Sequence, residues 1–243
     1  MKKIPKWMYN VPIAHRGFFD ALAPENSLKS FQQAIDRGFA IELDVQILKD
    51  QTLIVFHDEQ LKRMTGVEGN LLDCTYDDIK DLRLLTTDEK IPTFKEVLEC
   101  VNGQVPLMIE FKNKFSKTKL EALGYEQLKN YTGEYVIQSF NPISVNWFRK
   151  HAPHIIRGQL ASRYKNKKMF FILKFVFRNV LTNIITKPDY VIYDIKGLET
   201  HIVHKLKKKG MPLFSYTAKS KLDYDYAMAL EIPPCFEGFD PEA

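Results

Sequence analysis

Short apolar segments alternate with helical patterns along most of the chain, and this alternation limits the possible folds more than any other feature. Apolar runs that end at polar residues indicate buried strands, and capping residues before apolar residues at helical spacing indicate helices between them. Strands that alternate with helices are typical of a parallel sheet. The predicted strands are Val11–Ala14, Ala40–Ile47, Leu53–Phe56, Val105–Lys112, Tyr135–Ser139, Ile156–Leu160, Tyr190–Tyr193 and Pro212–Tyr216.

The number of strands favours a closed barrel over an open sheet. Eight strands and a length of 243 residues fit an α/β protein with a TIM-like (β/α)8 barrel. We expect this barrel to be irregular between strands 2 and 3, because the residues between Asp44 and Leu53 are too few for a crossover helix. No repeat or linker divides the sequence, so one domain over residues 1–243 is predicted.

Charged residues fall near the ends of several predicted strands. Glu42 and Asp44 lie two positions apart, so their carboxylates face the same side of one strand, and Glu110 and Lys112 repeat this spacing. In a barrel of this kind, catalytic residues gather where the carboxyl ends of the strands meet. The residues that we expect to meet there are His15, Arg16, Glu42, Asp44, His57, Glu110 and Lys112.

The three carboxylates of this set would repel one another without a cation between them. Carboxylate oxygens suit one divalent cation, Mg²⁺ or Ca²⁺ with Mn²⁺ as a further candidate, rather than zinc. One such ion, with Arg16 and Lys112, supplies four positive charges against the three negative ones of the carboxylates. The remaining positive charge complements a phosphodiester anion and the negative charge that develops at phosphorus during transfer.

Two histidines of the set are left for proton transfer. Imidazole titrates near neutral pH, so one histidine can act as general acid and the other as general base. The sequence leaves open which of His15 and His57 takes which role.

The same residues lie in an ordered set of five motifs, namely His15-Arg-Gly17, Pro24-Glu-Asn-Ser27, Glu42-Leu-Asp-Val45, Val55-Phe-His-Asp58 and Glu110-Phe-Lys112. This set resembles the family of glycerophosphodiester phosphodiesterases, and the similarity extends over essentially the whole chain. The resemblance implies hydrolysis of a glycerophosphodiester to glycerol 3-phosphate and an alcohol. It also implies metal ligation by the three carboxylates, acid–base roles for the two histidines, and contacts to the substrate phosphate by Arg16 and Lys112.

Other candidate site residues have alternative interpretations. Asn26 could orient His15 or a metal-bound water, or it could be the N-cap of the helix that follows. Glu25 fits a residue of that helix's first turn better than a site residue. Phe140 and Tyr216 could line the substrate pocket, although aromatic residues at strand ends more often serve packing.

Residues 165–187 form the least expected segment. On a helical projection one face is apolar and the opposite face carries Lys174 and Arg178, whose charges exclude a membrane-spanning helix; the apolar face comprises Leu173, Val176, Phe177, Val180, Leu181 and Ile184. One interpretation is a peripheral helix that contacts an anionic membrane. The other, which the sequence favours, is a helix packed on the barrel or on a dimer partner.

The remaining composition restricts the classes of partner. A net charge of +5 without a basic stripe gives no support for nucleic-acid binding, and three widely spaced cysteines indicate neither a zinc site nor disulfides. The N-terminus lacks the apolar core of a signal peptide, so we expect a cytoplasmic protein, with a location at the inner face of the membrane as the second expectation.

Two alternative functions stay open: a lysophospholipid-cleaving phosphodiesterase of the lysophospholipase D type at a membrane surface, and a non-catalytic phosphodiester-binding protein.

Overall fold

The computed structural model describes residues 2–114, 117–165 and 168–243. The strands are β1 Ile13–His15, β2 Ala40–Ile47, β3 Leu53–Val55, β4 Leu107–Phe111, β5 Tyr135–Ser139, β6 Arg157–Ala161, β7 Tyr190–Asp194, β8 Leu213–Ala218 and β9 Pro234–Phe236. The helices are α1 Trp7–Asn10, α2 Leu28–Asp36, α3 Lys62–Thr65, α4 Tyr76–Ile79, α5 Phe94–Val101, α6 Lys119–Leu128, α7 Pro142–His151, α8 Phe171–Arg178, α9 Asn183–Thr186, α10 His201–Lys208 and α11 Lys221–Ala229.

Within the described ranges, the strands form one sheet in the order β1-β9-β8-β7-β6-β5-β4-β2-β3, and β1 also pairs with β2. This order closes a ring of eight strands, with β3 outside it. The pairs β2–β4, β5–β6, β6–β7, β7–β8 and β8–β9 are parallel. The fold is therefore the TIM-like (β/α)8 barrel that the sequence predicts.

The predicted set of eight strands was wrong in one member and lacked one strand of the ring. Leu53–Phe56 was taken for a parallel strand, but β3 pairs with β2 in the antiparallel direction, with Val45 opposite Val55. A tight turn at residues 48–52 joins the two strands, so no crossover helix is needed, and this turn is the predicted irregularity. The eighth strand of the ring is β9, which the sequence analysis missed because only three residues are extended there.

The chain divides into two compact units, residues 14–135 and residues 2–13 with 136–243. In the first unit, β2 is buried along nearly its whole length. The connection from β2 to α5 has an apolar core of its own, which fixes the chain on either side of residues 57–63; its members are Leu48, Ile54, Phe56, Leu61, Met64, Leu71, Ile79, Leu84 and Ile91. Capping boxes at Thr75 and Thr93 start α4 and α5 around it.

The second unit contains β5 to β9 and the helices that follow them. The parallel strands β5 to β8 keep a regular register, and Tyr193 of β7 lies opposite Ala161 of β6 and Ser215 of β8. The register of β8 with β9 shifts between Ser215 and Ala218. Tyr190 is buried and packs edge-on against Phe214, with ring centroids 5.6 Å apart.

The segment predicted as one amphipathic helix consists of two short helices. Asn166 and Lys167 lie outside the described residues. α8 ends at Arg178, and α9 begins only at Asn183, with Val180 between them in a left-handed conformation. α8 contains no fully buried residue, but Val176 and Phe177 are half-buried, and the Phe177 ring contacts that of Tyr164 with centroids 6.2 Å apart. The peripheral helix and the helix packed on the barrel or on a dimer partner both stay predictions. In the described parts of the chain, no helix is long and apolar enough to cross a membrane.

Candidate active site

The polar residues of β2 and β4 share one face of their sheet. β2 alternates polar with apolar residues, so Glu42, Asp44 and Gln46 point to one side, while Ile41, Leu43 and Val45 point to the other. In the parallel pairing of β2 with β4, Asp44 lies opposite Glu110. The register therefore places three carboxylates from two adjacent strands beside one another.

Glu42, Asp44 and Glu110 form a compact group of buried carboxylates. One oxygen of each lies within 4.8 Å of one oxygen of each of the others. Like charges this close are unfavourable in a buried position unless cations offset them. A set of carboxylate oxygens suits a hard divalent cation such as Mg²⁺, Ca²⁺ or Mn²⁺, so the residues fit the metal site that the sequence indicates.

Two cationic side chains flank these carboxylates. Lys112 Nζ lies 3.2 Å from Asp44 Oδ1 and 3.5 Å from Glu110 Oε1. Arg16 Nε lies 3.4 Å from Asp44 Oδ2, and the backbone N–H of Arg16 donates to Glu42 Oε2 over 3.2 Å. Asp44 is thus the carboxylate that both cations approach.

The three carboxylates differ in their acidity. Burial raises the pKa of Glu42 well above its ordinary value, and repulsion from Asp44 and Glu110 adds to this effect. Burial also raises the pKa of Glu110, against the opposing charge of Lys112. Burial acts in the same direction on Asp44, but Lys112, His57 and Arg16 outweigh it and lower the pKa of Asp44. A cation near Glu42 and Glu110 would offset the same penalties.

The two predicted histidines have different environments. His15 Nε2 lies 3.9 Å from Glu42 Oε2. His57 Nδ1 lies 2.7 Å from Asp58 Oδ1, so this carboxylate fixes the orientation of the His57 ring. Burial lowers the pKa of His57, against the opposing charge of Asp44. Asp58 is therefore a positioning residue for His57.

Asn26 belongs to the carboxylate site and does not cap a helix. Its side-chain amide donates to Asp44 Oδ2 over 3.0 Å. The N-cap of α2 is Ser27, whose side chain accepts from the backbone N–H of Ser30. The N-cap alternative for Asn26 was wrong because the chain turns at this residue, which has a φ of 57°, before the helix begins.

A second group of ion pairs adjoins the site and was not predicted from the sequence. Glu25 precedes the helix rather than lying in its first turn, and its carboxylate accepts from Arg16 over 2.9 Å and from Arg63 Nη2 over 2.6 Å. Arg63 Nε also donates to Asp58 Oδ2 over 2.5 Å. Arg63 thus connects the residues that hold Arg16 and His57. The strand pattern gave no signal for Arg63, because it lies on the short helix α3.

Gln46 is a further positioning residue that was missed. Its amide donates to the backbone carbonyls of Phe56 and Asp58, over 2.7 and 2.9 Å. It therefore fixes the chain on both sides of His57. Its position two residues after Asp44 was the available signal, since it shares the face of β2 with the carboxylates.

The two predicted pocket aromatics lie in the second unit. The rings of Phe140 and Tyr216 contact each other edge-on, with centroids 5.8 Å apart. The Tyr216 hydroxyl donates to the backbone carbonyl of Ala161 over 2.9 Å. Both rings are therefore held in place, and their role in a substrate pocket stays a prediction.

Comparison with known proteins places these observations in a family. Residues 15–233 match the model of the glycerophosphoryl diester phosphodiesterase family. A glycerophosphodiester phosphodiesterase of Caldanaerobacter subterraneus is 30% identical over 230 residues, which cover 90% of this chain and 89% of that protein. Every residue of the predicted site lies within the matched range.

Solved structures show the same fold. A phosphodiesterase of Oleispira antarctica, solved with its product sn-glycerol-3-phosphate, superposes with a TM-score of 0.80 at 22% identity and covers 93% of this chain and 92% of its own. A glycerophosphodiester phosphodiesterase of Thermotoga maritima gives a TM-score of 0.70 at 27% identity and covers 93% of this chain and 94% of its own. These similarities confirm the predicted barrel.

Proposed function

This chain belongs to the glycerophosphoryl diester phosphodiesterase family, and from this premise we propose that it hydrolyses glycerophosphodiesters to glycerol 3-phosphate and an alcohol. The enzyme is a phosphoric diester hydrolase that uses one divalent cation. The observation that carries this proposal is the buried group of Glu42, Asp44 and Glu110, whose oxygens lie within 4.8 Å of one another. A purely structural role would not require three carboxylates to be buried so close together.

Each part of the site has a function in this reaction. A divalent cation held by the three carboxylates would withdraw negative charge from the phosphate oxygens. Arg16 and Lys112 are oriented by Asp44, and their charges bind the phosphodiester anion. Burial lowers the pKa of Lys112, but Asp44 and Glu110 outweigh it, so the pKa is raised and the ammonium group stays charged.

The two histidines transfer the protons. One removes a proton from the attacking oxygen, and the other donates a proton to the leaving alcohol oxygen. Asp58 holds the His57 ring through a 2.7 Å hydrogen bond, so the ring nitrogen Nε2 is the atom available for proton transfer. The assignment of acid and base between His15 and His57 stays open.

The test is hydrolysis of glycerophosphocholine and glycerophosphoethanolamine by chelator-treated protein, alone and with Mg²⁺, Ca²⁺ or Mn²⁺. We expect release of glycerol 3-phosphate only with a metal ion, and a loss of roughly 10²- to 10⁴-fold in His57→Ala. The matched control is His204→Ala, which changes an exposed histidine of α10. Equal turnover with and without metal would contradict the metal requirement, and full activity in His57→Ala would contradict the role of that histidine.

One observation favours a second substrate class. Exposed apolar side chains at the start of α8, such as Phe170, suit contact with a membrane surface, where a lipid substrate would be found. The same chemistry would then cleave a lysophospholipid, as a phosphodiesterase of the lysophospholipase D type. Turnover of lysophosphatidylcholine well above that of glycerophosphocholine would favour this alternative. Binding of both compounds without turnover would instead indicate a non-catalytic phosphodiester-binding protein.

We also propose a cytoplasmic location and one domain over residues 1–243. Cys74 and Cys100 are thiols and not disulfides, which supports the location, because reduced cysteines are usual in a reducing compartment. Cell fractionation with an antibody to the protein tests it, and recovery outside the cytoplasm and its membrane face would contradict it.

A further inference from the structure

The start of α8 exposes an unusual concentration of apolar side chains. Phe170 and Phe171 are 80% and 77% exposed, and Ile172, Leu173 and Phe175 are 60%, 47% and 54% exposed. These five residues are called the apolar ridge below. Large exposed apolar groups are normally scattered singly over a protein surface. A run of five within six positions therefore indicates a surface that is covered in the working protein.

The charges of the surrounding segment indicate what covers it. Residues 135–188 contain ten Lys and Arg residues and no Asp or Glu, although the whole chain carries a net charge of only +5. The other residues therefore have a net charge of −5. Arg157 of this segment is buried beside Asp189, but Lys174 and Arg178 lie on α8 itself. The apolar ridge thus lies within the strongly basic part of the chain.

A basic cleft adjoins the end of α8. It has a volume of about 430 Å³, and its lining includes Arg163, Lys165, Arg178 and Lys196, with Glu199 as an acidic member. Arg163 Nε is paired with Asp194 over 3.1 Å. The positive charges of the cleft therefore exceed the negative ones, and an anionic group of the size of a phosphate fits its volume.

We propose that the apolar ridge and this cleft bind the surface of an anionic phospholipid bilayer. The ridge inserts its aromatic and aliphatic side chains at the boundary between headgroups and acyl chains, and the cleft binds lipid phosphate. A second copy of the chain is a poorer occupant, because a symmetric interface would bring the two basic segments together. This inference does not depend on the proposed hydrolysis, because binding to vesicles is measured without any turnover of substrate.

The experiment is co-sedimentation of the full chain with vesicles of phosphatidylcholine alone or with added phosphatidylglycerol, at low and high salt. We expect binding only to the anionic vesicles, and weaker binding at high salt. The double variant Phe171→Ser/Phe175→Ser tests the ridge, and Lys165→Gln/Arg178→Gln tests the cleft. Each pair should reduce the bound fraction at least fivefold.

Control variants test whether the loss of any exposed apolar or basic side chain would reduce vesicle binding. Leu222→Ser changes an equally exposed apolar residue on α11, and Lys208→Gln changes an exposed lysine of α10. Both controls should bind like the unchanged protein, and hydrolysis of soluble glycerophosphocholine should be the same in all variants. This second readout shows that the variants fold, and it distinguishes failure of lipid binding from failure of the proposed enzyme function.

Three outcomes would overturn the proposal. They are equal binding to both kinds of vesicle, no binding at all, and unchanged binding of both test variants. Sedimentation velocity tests whether a second copy of the chain covers the apolar ridge instead. A dimer that dissociates in Phe171→Ser/Phe175→Ser would show that it does.

Discussion

The turn after β1 depends on a residue without a side chain. Arg16 and Gly17 both have positive φ, at 62° and 84°, and a Cβ at Gly17 would lie 2.9 Å from the backbone carbon of Ser30. Gly17→Ala therefore combines backbone strain with a clash, and we expect a loss of about 2–4 kcal/mol in the free energy of unfolding. Gly38→Ala, with a φ of 68° but no atom within 4 Å of its Cβ, should lose only about 1–2 kcal/mol.

Urea unfolding of both variants measures the difference. Equal losses would mean that the contact with Ser30 relaxes freely, and that only the left-handed conformation matters.

Glu25 gives the protein a pH-dependent contribution to stability. Burial alone would raise the pKa of its carboxyl, but hydrogen bonds from Arg63 and the charge of Arg16 outweigh it and lower the pKa below its ordinary value of 4.5. The stabilisation is therefore fully present above pH 4.5 and is lost as the pH falls through the lowered pKa. Glu25→Gln should cost about 1–3 kcal/mol near pH 7, and this cost should shrink below pH 4.5.

Unfolding of Glu25→Gln in chelator, followed against pH, checks this sign. The control is Glu68→Gln, which removes an exposed partner of Lys62 and should change stability little at any pH. A cost for Glu25→Gln that grows as the pH falls would contradict the assignment.

Asp58 should affect turnover through the orientation of His57. Asp58→Asn keeps the size of the side chain but removes the charge that accepts from His57 Nδ1 and from Arg63 Nε. We expect kcat to fall about ten- to a hundredfold, which is less than the loss for His57→Ala, while KM changes little. An unchanged kcat would show that Gln46 and the surrounding backbone suffice to orient the ring.

Neighbouring residues at the start of α2 have separate tasks. Ser27 caps the helix by accepting from the Ser30 backbone N–H, while Asn26 donates to Asp44. Ser27→Ala should lower the free energy of unfolding by about 1 kcal/mol with kcat unchanged. Asn26→Ala should instead reduce kcat, because it removes a hydrogen bond that holds Asp44. Steady-state kinetics and urea unfolding of both variants test this, and the opposite pattern would restore Asn26 as the cap.

Elements were predicted well where periodicity and burial agree. In β2, carboxylates alternate with apolar residues. This repeat of two residues indicates both the strand and the side of it that is polar. β3 shows the limit, because a buried apolar run does not indicate the direction of pairing, which here depends on the turn at residues 48–52. The continuous helix predicted within residues 165–187 failed for a related reason, since helical spacing does not reveal the left-handed residue Val180.

The sequence predicted the residues of the candidate site that lie on or directly after strands, but not the residues that support them. Residues that end or line strands, such as Glu42 and Glu110, follow from the barrel architecture and are brought together by the register of β2 and β4. Arg63 and Glu25 lie outside regular strands, and their ion pair joins residues 38 positions apart in the chain. Such a contact depends on how the connection from β3 to α5 folds around its own core, and local patterns do not encode it.

Metal binding should stabilise the folded chain as a whole, because the carboxylates converge only in that state. At a metal concentration 100 times the dissociation constant, the gain is about 2.7 kcal/mol, or a rise in Tm of about 5–10 °C for a chain of this size. Differential scanning fluorimetry in chelator and in Mg²⁺, Ca²⁺ or Mn²⁺ measures this shift. Glu99→Gln, which changes an exposed carboxylate of α5, should keep it.

Glu42→Gln should weaken the stabilisation by metal and relieve the repulsion among the three carboxylates. It removes one ligand and should abolish most of the metal-dependent rise in Tm. In chelator its Tm should equal or exceed that of the unchanged protein, because the variant removes the buried carboxyl whose pKa is raised by burial and by repulsion from Asp44 and Glu110. An undiminished metal shift in Glu42→Gln would exclude this carboxylate as a ligand, and a large loss of stability in chelator would show that its bond from the Arg16 backbone outweighs the repulsion.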